Sequence, residues 1–420
     1  MSKSERSVSS QRPLPENASG GAAAATREHK SAPVSPDDLL LLESEVSVIG
    51  DLPGFLSWEA GTELVRSACE IYVGYAYHQL RTWAQFTGSD VFQTVLKLPK
   101  SNQQRLLIAP RLFRLLRSNA EPREEEIESL KEFIRMEQYL CKQSAEHPGI
   151  SWTALGDFYL PAETEERQDS SGQPSTTWNA DLSYEAPVSK GIVLDAYSPI
   201  PANTYPDYYG EVAKHSAEEM NLIEQRLETS LDHIQSVSAT ASSAVKAAIQ
   251  VMALVCAPAL TAGTHSFSTR STIGQMGLVN VHTEPWVTER ISNAIIHESI
   301  HSLIYKLQLK LINNLYTDDE AAERVTAVSP WSGRTLFLHS VVHACFVWFG
   351  LWSFWSLSPI QDDATRALKE KAARGFLSGP LQAGLSSEAY ECIRPDTRLA
   401  IDEMFKRVTS ADQSPQVAVL

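Results

Sequence analysis

Residues 336–358 carry no formal charge, and that stretch restricts the fold more than any other. As a helix it is long enough to cross a bilayer. His339, Ser340, His343, Ser353 and Ser356 interrupt it, however, and no second hydrophobic span or basic flank accompanies it. The expectation is therefore a helix buried on all sides in a large core, with Trp348, Trp352 and Trp355 packing there. A chain of 420 residues can build such a core. Of its 11 histidines, His339 and His343 lie in this most apolar segment. A buried imidazole needs a hydrogen-bond partner or a metal, because stranding a polar nitrogen costs about 1–3 kcal/mol.

A second pair of histidines, also four apart, precedes this segment. His297-Glu298-Ser299-Ile300-His301 is an HExxH motif, and helical spacing puts both imidazoles on one face, one turn apart. Ile296, Ile300, Leu303, Leu307 and Leu311 give the same stretch an apolar stripe, which predicts an amphipathic helix over 288–315. Residues 275–282 read as a short strand with a glycine break, followed by a turn containing Pro285. A strand beside an active-site helix is the arrangement in which metallohydrolases hold an extended peptide.

Two imidazoles need a third ligand, and two kinds are at hand. Glu320 lies in the acidic run Asp318-Asp319-Glu320, at a spacing from His301 that zinc aminopeptidase-like enzymes use. The same run also reads as the first turn of a helix, where negative charge is favoured in any case. His339 or His343 would instead complete an all-histidine site. With zinc, Glu298 would serve as the general base that deprotonates the attacking water. With iron, Glu298 would orient a ligand or hold a substrate group, and Glu298 and Glu320 remain possible ligands.

The strand Gly277-Leu278-Val279-Asn280, the HExxH helix from Ile295, and Ser329-Pro330-Trp331-Ser332-Gly333-Arg334 leading into Leu338-His339 occur in that order. Together they resemble the HExxH-motif peptide-modification family found beside ribosomal natural-product precursors. The resemblance covers roughly residues 260–360. It implies an iron(II)/2-oxoglutarate-dependent hydroxylase with a mostly helical fold, not a jelly roll, acting on an aliphatic carbon of a peptide residue or amino acid. It also gives Arg334 a role, since a guanidinium fork suits the distal carboxylate of 2-oxoglutarate. Arg270 is a second candidate for that role. Ser332-Gly333-Arg334 stands where a Pro-Arg-Pro-like run is usual, and Ser340 where glycine is usual. The third ligand is thus open between His339 and His343.

A net charge of −15 argues against nucleic acid and anionic membranes as partners, and for a neutral or cationic peptide or a small amino acid. Cys69, Cys141, Cys256, Cys345 and Cys392 are scattered and odd in number, which fits a reducing, cytoplasmic setting without disulfides. Residues 1–36, rich in Ser, Ala, Gly and Pro, read as a disordered tail. A helical region (37–160), a loop-rich and helical connection (161–260) and a metal-binding catalytic region (261–420) follow. Helical periodicity marks 62–85, 102–117, 124–146, 217–236 and 242–256. Polar residues 165–177 read as a loop, and the Pro/Tyr-rich stretch 197–209 as extended chain. The expected whole is a mainly α, bundle-like enzyme with a small sheet packed beside the HExxH helix. A zinc peptidase and a non-catalytic helical binding protein are the alternatives.

Overall fold

The computed structural model describes residues 47–88, 90–117, 122–141, 151–160, 184–198, 213–260, 265–360 and 362–413. The tail at 1–36, the 165–177 loop and most of 197–209 lie outside them. Six helices open the described chain: α1 (Leu52–Phe55), α2 (Glu63–Thr87), α3 (Val91–Lys97), α4 (Lys100–Leu107), α5 (Pro110–Leu116) and α6 (Glu124–Leu140). Gly88, at φ +62°, stops α2 in the left-handed conformation that favours glycine. The single helix expected over 102–117 is two, because Pro110 lacks an amide donor and forces Ala109 into an extended conformation.

A three-stranded antiparallel sheet follows, made of β1 (Ser151–Trp152), β2 (Phe158–Leu160) and β3 (Tyr184–Glu185). The main sheet has five strands in the order β4-β5-β6-β8-β7: β4 (Val188–Ser189), β5 (Ile192–Asp195), β6 (Val251–Val255), β7 (His265–Ser268) and β8 (Gln275–Val279). β5, β6 and β8 run parallel, with β4 and β7 antiparallel on the edges. Between β5 and β6 come α7 (Ala217–Val237) and α8 (Ala239–Ala248). The periodicity over 242–256 therefore misread a strand as helix. Val251–Val255 is buried on both faces, so it shows a continuous apolar run instead of alternation.

The HExxH helix, α9 (Thr288–Gln308), is central. It packs against α2, α7, α8 and the β7–β8 edge. It ends before the expected Leu315, giving way to a 3-10 turn at Leu311–Asn313. The short α10 (Asp319–Arg324) and a hairpin of β9 (Thr326–Val328) and β10 (Thr335–Phe337) lead into α11 (Leu338–Leu357), the uncharged helix. α12 (Asp363–Leu377), α13 (Ser387–Cys392) and α14 (Pro395–Gln413) complete the fold. By length and composition alone, α11 is the one helix among the described residues apolar enough to cross a membrane, yet two-thirds of its most apolar window is buried in the protein. α9 and α11 approach closely at Gly350, where a Cβ would lie 2.5 Å from Ile300 Cδ1. The architecture is mainly helical with a small mixed sheet and no closed barrel, as the sequence implies.

The first helices share a core with the sheet: Leu106, Leu112 and Leu116 cluster with Val193 and Val251. A buried ion pair joins the same two regions. Arg111 on α5 lies 3.6 Å from the Asp195 carboxylate at the end of β5, and the Ser198 amide donates to Asp195 at 2.8 Å. Burial pushes the Asp195 carboxyl up, and Arg111 opposes that.

Candidate functional site

The α9 face that looks toward α11 carries His297, His301, Tyr305 and Gln308, spaced so that they form one stripe. From α11, His343 meets this stripe. Its Nδ1 lies 3.3 Å from Nδ1 of His301, with the rings nearly parallel at 16° and centroids 5.5 Å apart. The Tyr305 ring lies against both, 6.1 Å from His301 and 5.1 Å from His343. His297 is one turn back, its ring 5.0 Å from that of His301 and edge-on to Trp348. Lys371 of α12 lies over the other ring of this wall, 5.5 Å from the Trp348 centroid.

These imidazoles are neutral at pH 7. Burial lowers His301 to about 4, with repulsion from His297 adding and Glu298 opposing. Burial also lowers His297 to about 4, helped by the charge of Lys371. His343 is held well below the usual histidine range by burial first, then by His301, His339 and Arg270. Neutral imidazole is the form that ligates a metal. On an ion with bonds of about 2.0–2.1 Å, neighbouring ligand atoms lie roughly 3.0 Å apart at a right angle and 3.4 Å apart in a tetrahedron. The 3.3 Å between the two Nδ1 atoms falls in that range. Among the described residues, however, no three His, Cys, Asp or Glu side chains converge into a full ligand set.

Beside His343 opens a cavity of about 250 Å3, lined also by His339, Tyr305, Gln308, Arg270 and Arg117. His339 packs on Phe337 and places Nε2 3.2 Å from Ser340 Oγ, while its Nδ1 is buried without a partner. Gln308 Oε1 is likewise buried and unpaired. Arg270 is half exposed and holds Asp319 and Glu323 only loosely, each at 3.9 Å. Arg334 is exposed in the β9–β10 turn and does not line the cavity. Glu320 is exposed too, and its nearest cation is Arg324 at 3.9 Å, one turn along α10. The structure thus gathers His301, His343, His339 and Arg270 around one space, with His297 adjoining, and leaves Arg334 and Glu320 outside it.

Glu298 faces the other way. Its two carboxylate oxygens accept hydrogen bonds from Ser266 (2.7 Å) and Ser268 (2.6 Å), both on the edge strand β7. Next to them Gly277 on β8 leaves room for the Phe267 ring, which a Cβ would meet at 2.0 Å. No protein-family model matches the chain, and neither does any curated protein.

Sequence reasoning passed over Tyr305, Gln308, Arg117 and the two serines. Tyr305 and Gln308 continue the His297–His301 spacing along α9, so periodicity held the signal. Arg117 follows α5 and reaches the cavity from far upstream, and nothing local marks it.

Proposed function

We propose that the chain is an iron(II)/2-oxoglutarate-dependent hydroxylase acting on an aliphatic carbon of a peptide residue or amino acid. The observation that carries this reading is the facing pair His301–His343 opening onto a cavity that also holds Arg270. His301 and His343 would hold the iron, with His297 or His339 as the third histidine. Buried neutral nitrogens, one of them unpaired on His339, fit that donor set. Arg270, and not Arg334, would take the distal carboxylate of 2-oxoglutarate, assisted by Arg117. Its present partners are loose enough for an incoming carboxylate to replace them. Iron with 2-oxoglutarate supplies oxidation by dioxygen, giving the hydroxylated product, succinate and carbon dioxide. The protein's own part is positional: Tyr305 packs on both imidazoles, Glu298 anchors α9 to β7, and the apolar wall of α11 excludes water.

Two features weigh against a zinc peptidase. A general base must reach the bound water, whereas both Glu298 oxygens are engaged by serines. Glu320, its proposed third ligand, stands in solvent. The deciding experiment is anaerobic reconstitution with iron(II), then titration with 2-oxoglutarate under visible absorption spectroscopy. A weak charge-transfer band that needs both components is the expected result. Absence of the band, together with tightly held zinc that Glu320→Gln releases, would return the peptidase. A protein that retains no metal at all would be the non-catalytic helical binder.

A further inference from the structure

The carboxyl ends of the parallel strands β6 and β8 lie apart from the HExxH stripe, and a separate group of polar side chains gathers there. His215 directly precedes the N-cap of α7, Glu219 lies in its first turn, and His282 follows β8. The His215 and His282 rings are 5.2 Å apart, nearly perpendicular at 78°. His282 Nε2 lies 3.5 Å from Glu219 Oε1. His215 is only 6% exposed, and neither of its ring nitrogens has a hydrogen-bond partner. His282 Nδ1 is buried and unpaired as well.

Three orphaned imidazole nitrogens in one place are unusual, because buried polar atoms nearly always find partners. The surroundings hold the group firmly. Arg226 donates to the Val281 and Thr283 carbonyls, both at 2.7 Å, which fixes the backbone on either side of His282. Asn280 adopts φ +54° and uses its side chain to clasp Ala257, tying the ends of β6 and β8 together. The capping box of α7 holds the other Glu219 oxygen on the Ser216 amide at 2.8 Å. That leaves Oε1 turned toward His282.

We propose that His215, His282 and Glu219 form a second site, for a divalent transition-metal ion of the zinc type. The 3.5 Å between Nε2 and Oε1 is long for a charge-assisted hydrogen bond, normally about 2.7–2.9 Å. It is close to the roughly 3.4 Å that separates two ligand atoms on a tetrahedral zinc ion. Two imidazoles and one carboxylate are an ordinary zinc donor set, and His215 brings two nitrogens for which the protein supplies no bond. The Leu254 backbone lies near the His215 ring and is placed to orient it, as carbonyls beside metal-bound histidines do. In the arrangement described, the three side chains do not yet surround one point, and the ion draws the His215 ring onto the His282–Glu219 pair. Carboxyl ends of parallel strands are also where open α/β sheets place their ligands. This site is independent of the oxygenase reading.

The test is zinc stoichiometry of the full chain after chelator treatment, measured by competition with a chromophoric indicator. Wild-type protein is expected to take up an equivalent that His282→Ala and Glu219→Gln each weaken about 100-fold, and that His343→Ala leaves in place. A second readout needs no variant: carbethoxylation of His282, mapped by mass spectrometry, should be suppressed by zinc and not by magnesium. Stoichiometry unchanged in both variants, or His282 modified equally with and without bound zinc, would overturn the proposal.

Discussion

Glu298 sits between two histidines in the sequence but serves the opposite face of α9, joined to Ser266 and Ser268 of β7. Its removal therefore tests a structural role against a chemical one. Glu298→Ala strands two serine hydroxyls and is expected to cost about 2–4 kcal/mol of stability in urea unfolding. Unchanged stability with lost turnover would mean that the carboxylate works on substrate. At the cavity the expectations concern binding. His343→Ala should weaken iron binding about 100-fold, while Glu320→Gln leaves it intact. Arg270→Ala should raise the 2-oxoglutarate requirement at least 10-fold, an effect that Arg334→Ala does not share, and equal effects from the two would unseat Arg270. Spacing alone disclosed the imidazoles of α9, because four residues make one helical turn. It did not decide between His339 and His343, since both lie on one face of α11 and only the approach of α9 distinguishes them.

At the scale of elements, the β7–β8 edge sets where α9 sits. Phe267 lies over Gly277 so closely that any Cβ there must displace the ring. Gly277→Ala is thus expected to lower stability by about 1–3 kcal/mol. It should also loosen Ser266 and Ser268 from Glu298, measurable as faster amide exchange in β7 and the first turns of α9. Unaltered exchange in β7 would show that the ring accommodates the methyl. Elements with helical period were legible: α2, α6, α7 and α9 begin within a residue or two of where their stripes do. β6 was not, because a strand covered on both faces shows the same unbroken apolar run as a buried helix. The break between α4 and α5 was written in Pro110, a signal outvoted by the periodicity around it.

Across the whole molecule, burying several neutral imidazoles makes stability depend on pH. His297 and His301 have folded values of about 4, against about 6.5 for an unfolded histidine. The unfolded chain therefore takes up protons first as pH falls, so this stability is complete above about 6.5 and is lost toward about 4. In chelator-treated protein the melting temperature should decline through that window, less steeply in His301→Gln. Equal slopes would mean that the imidazoles are not kept neutral by the fold. Legibility was poorest at this scale, because pairings such as Arg111 with Asp195, or Arg117 with the cavity, leave no local trace. The first of these governs how the chain can be divided. Residues 47–160 taken alone would keep Arg111 and lose Asp195, a buried cation with no counterion, which costs about 3–5 kcal/mol. Neither half should fold when expressed by itself. Co-expressed as two polypeptides cut between Leu160 and Tyr184, they are expected to find each other and restore the molecule, as complementing fragments do.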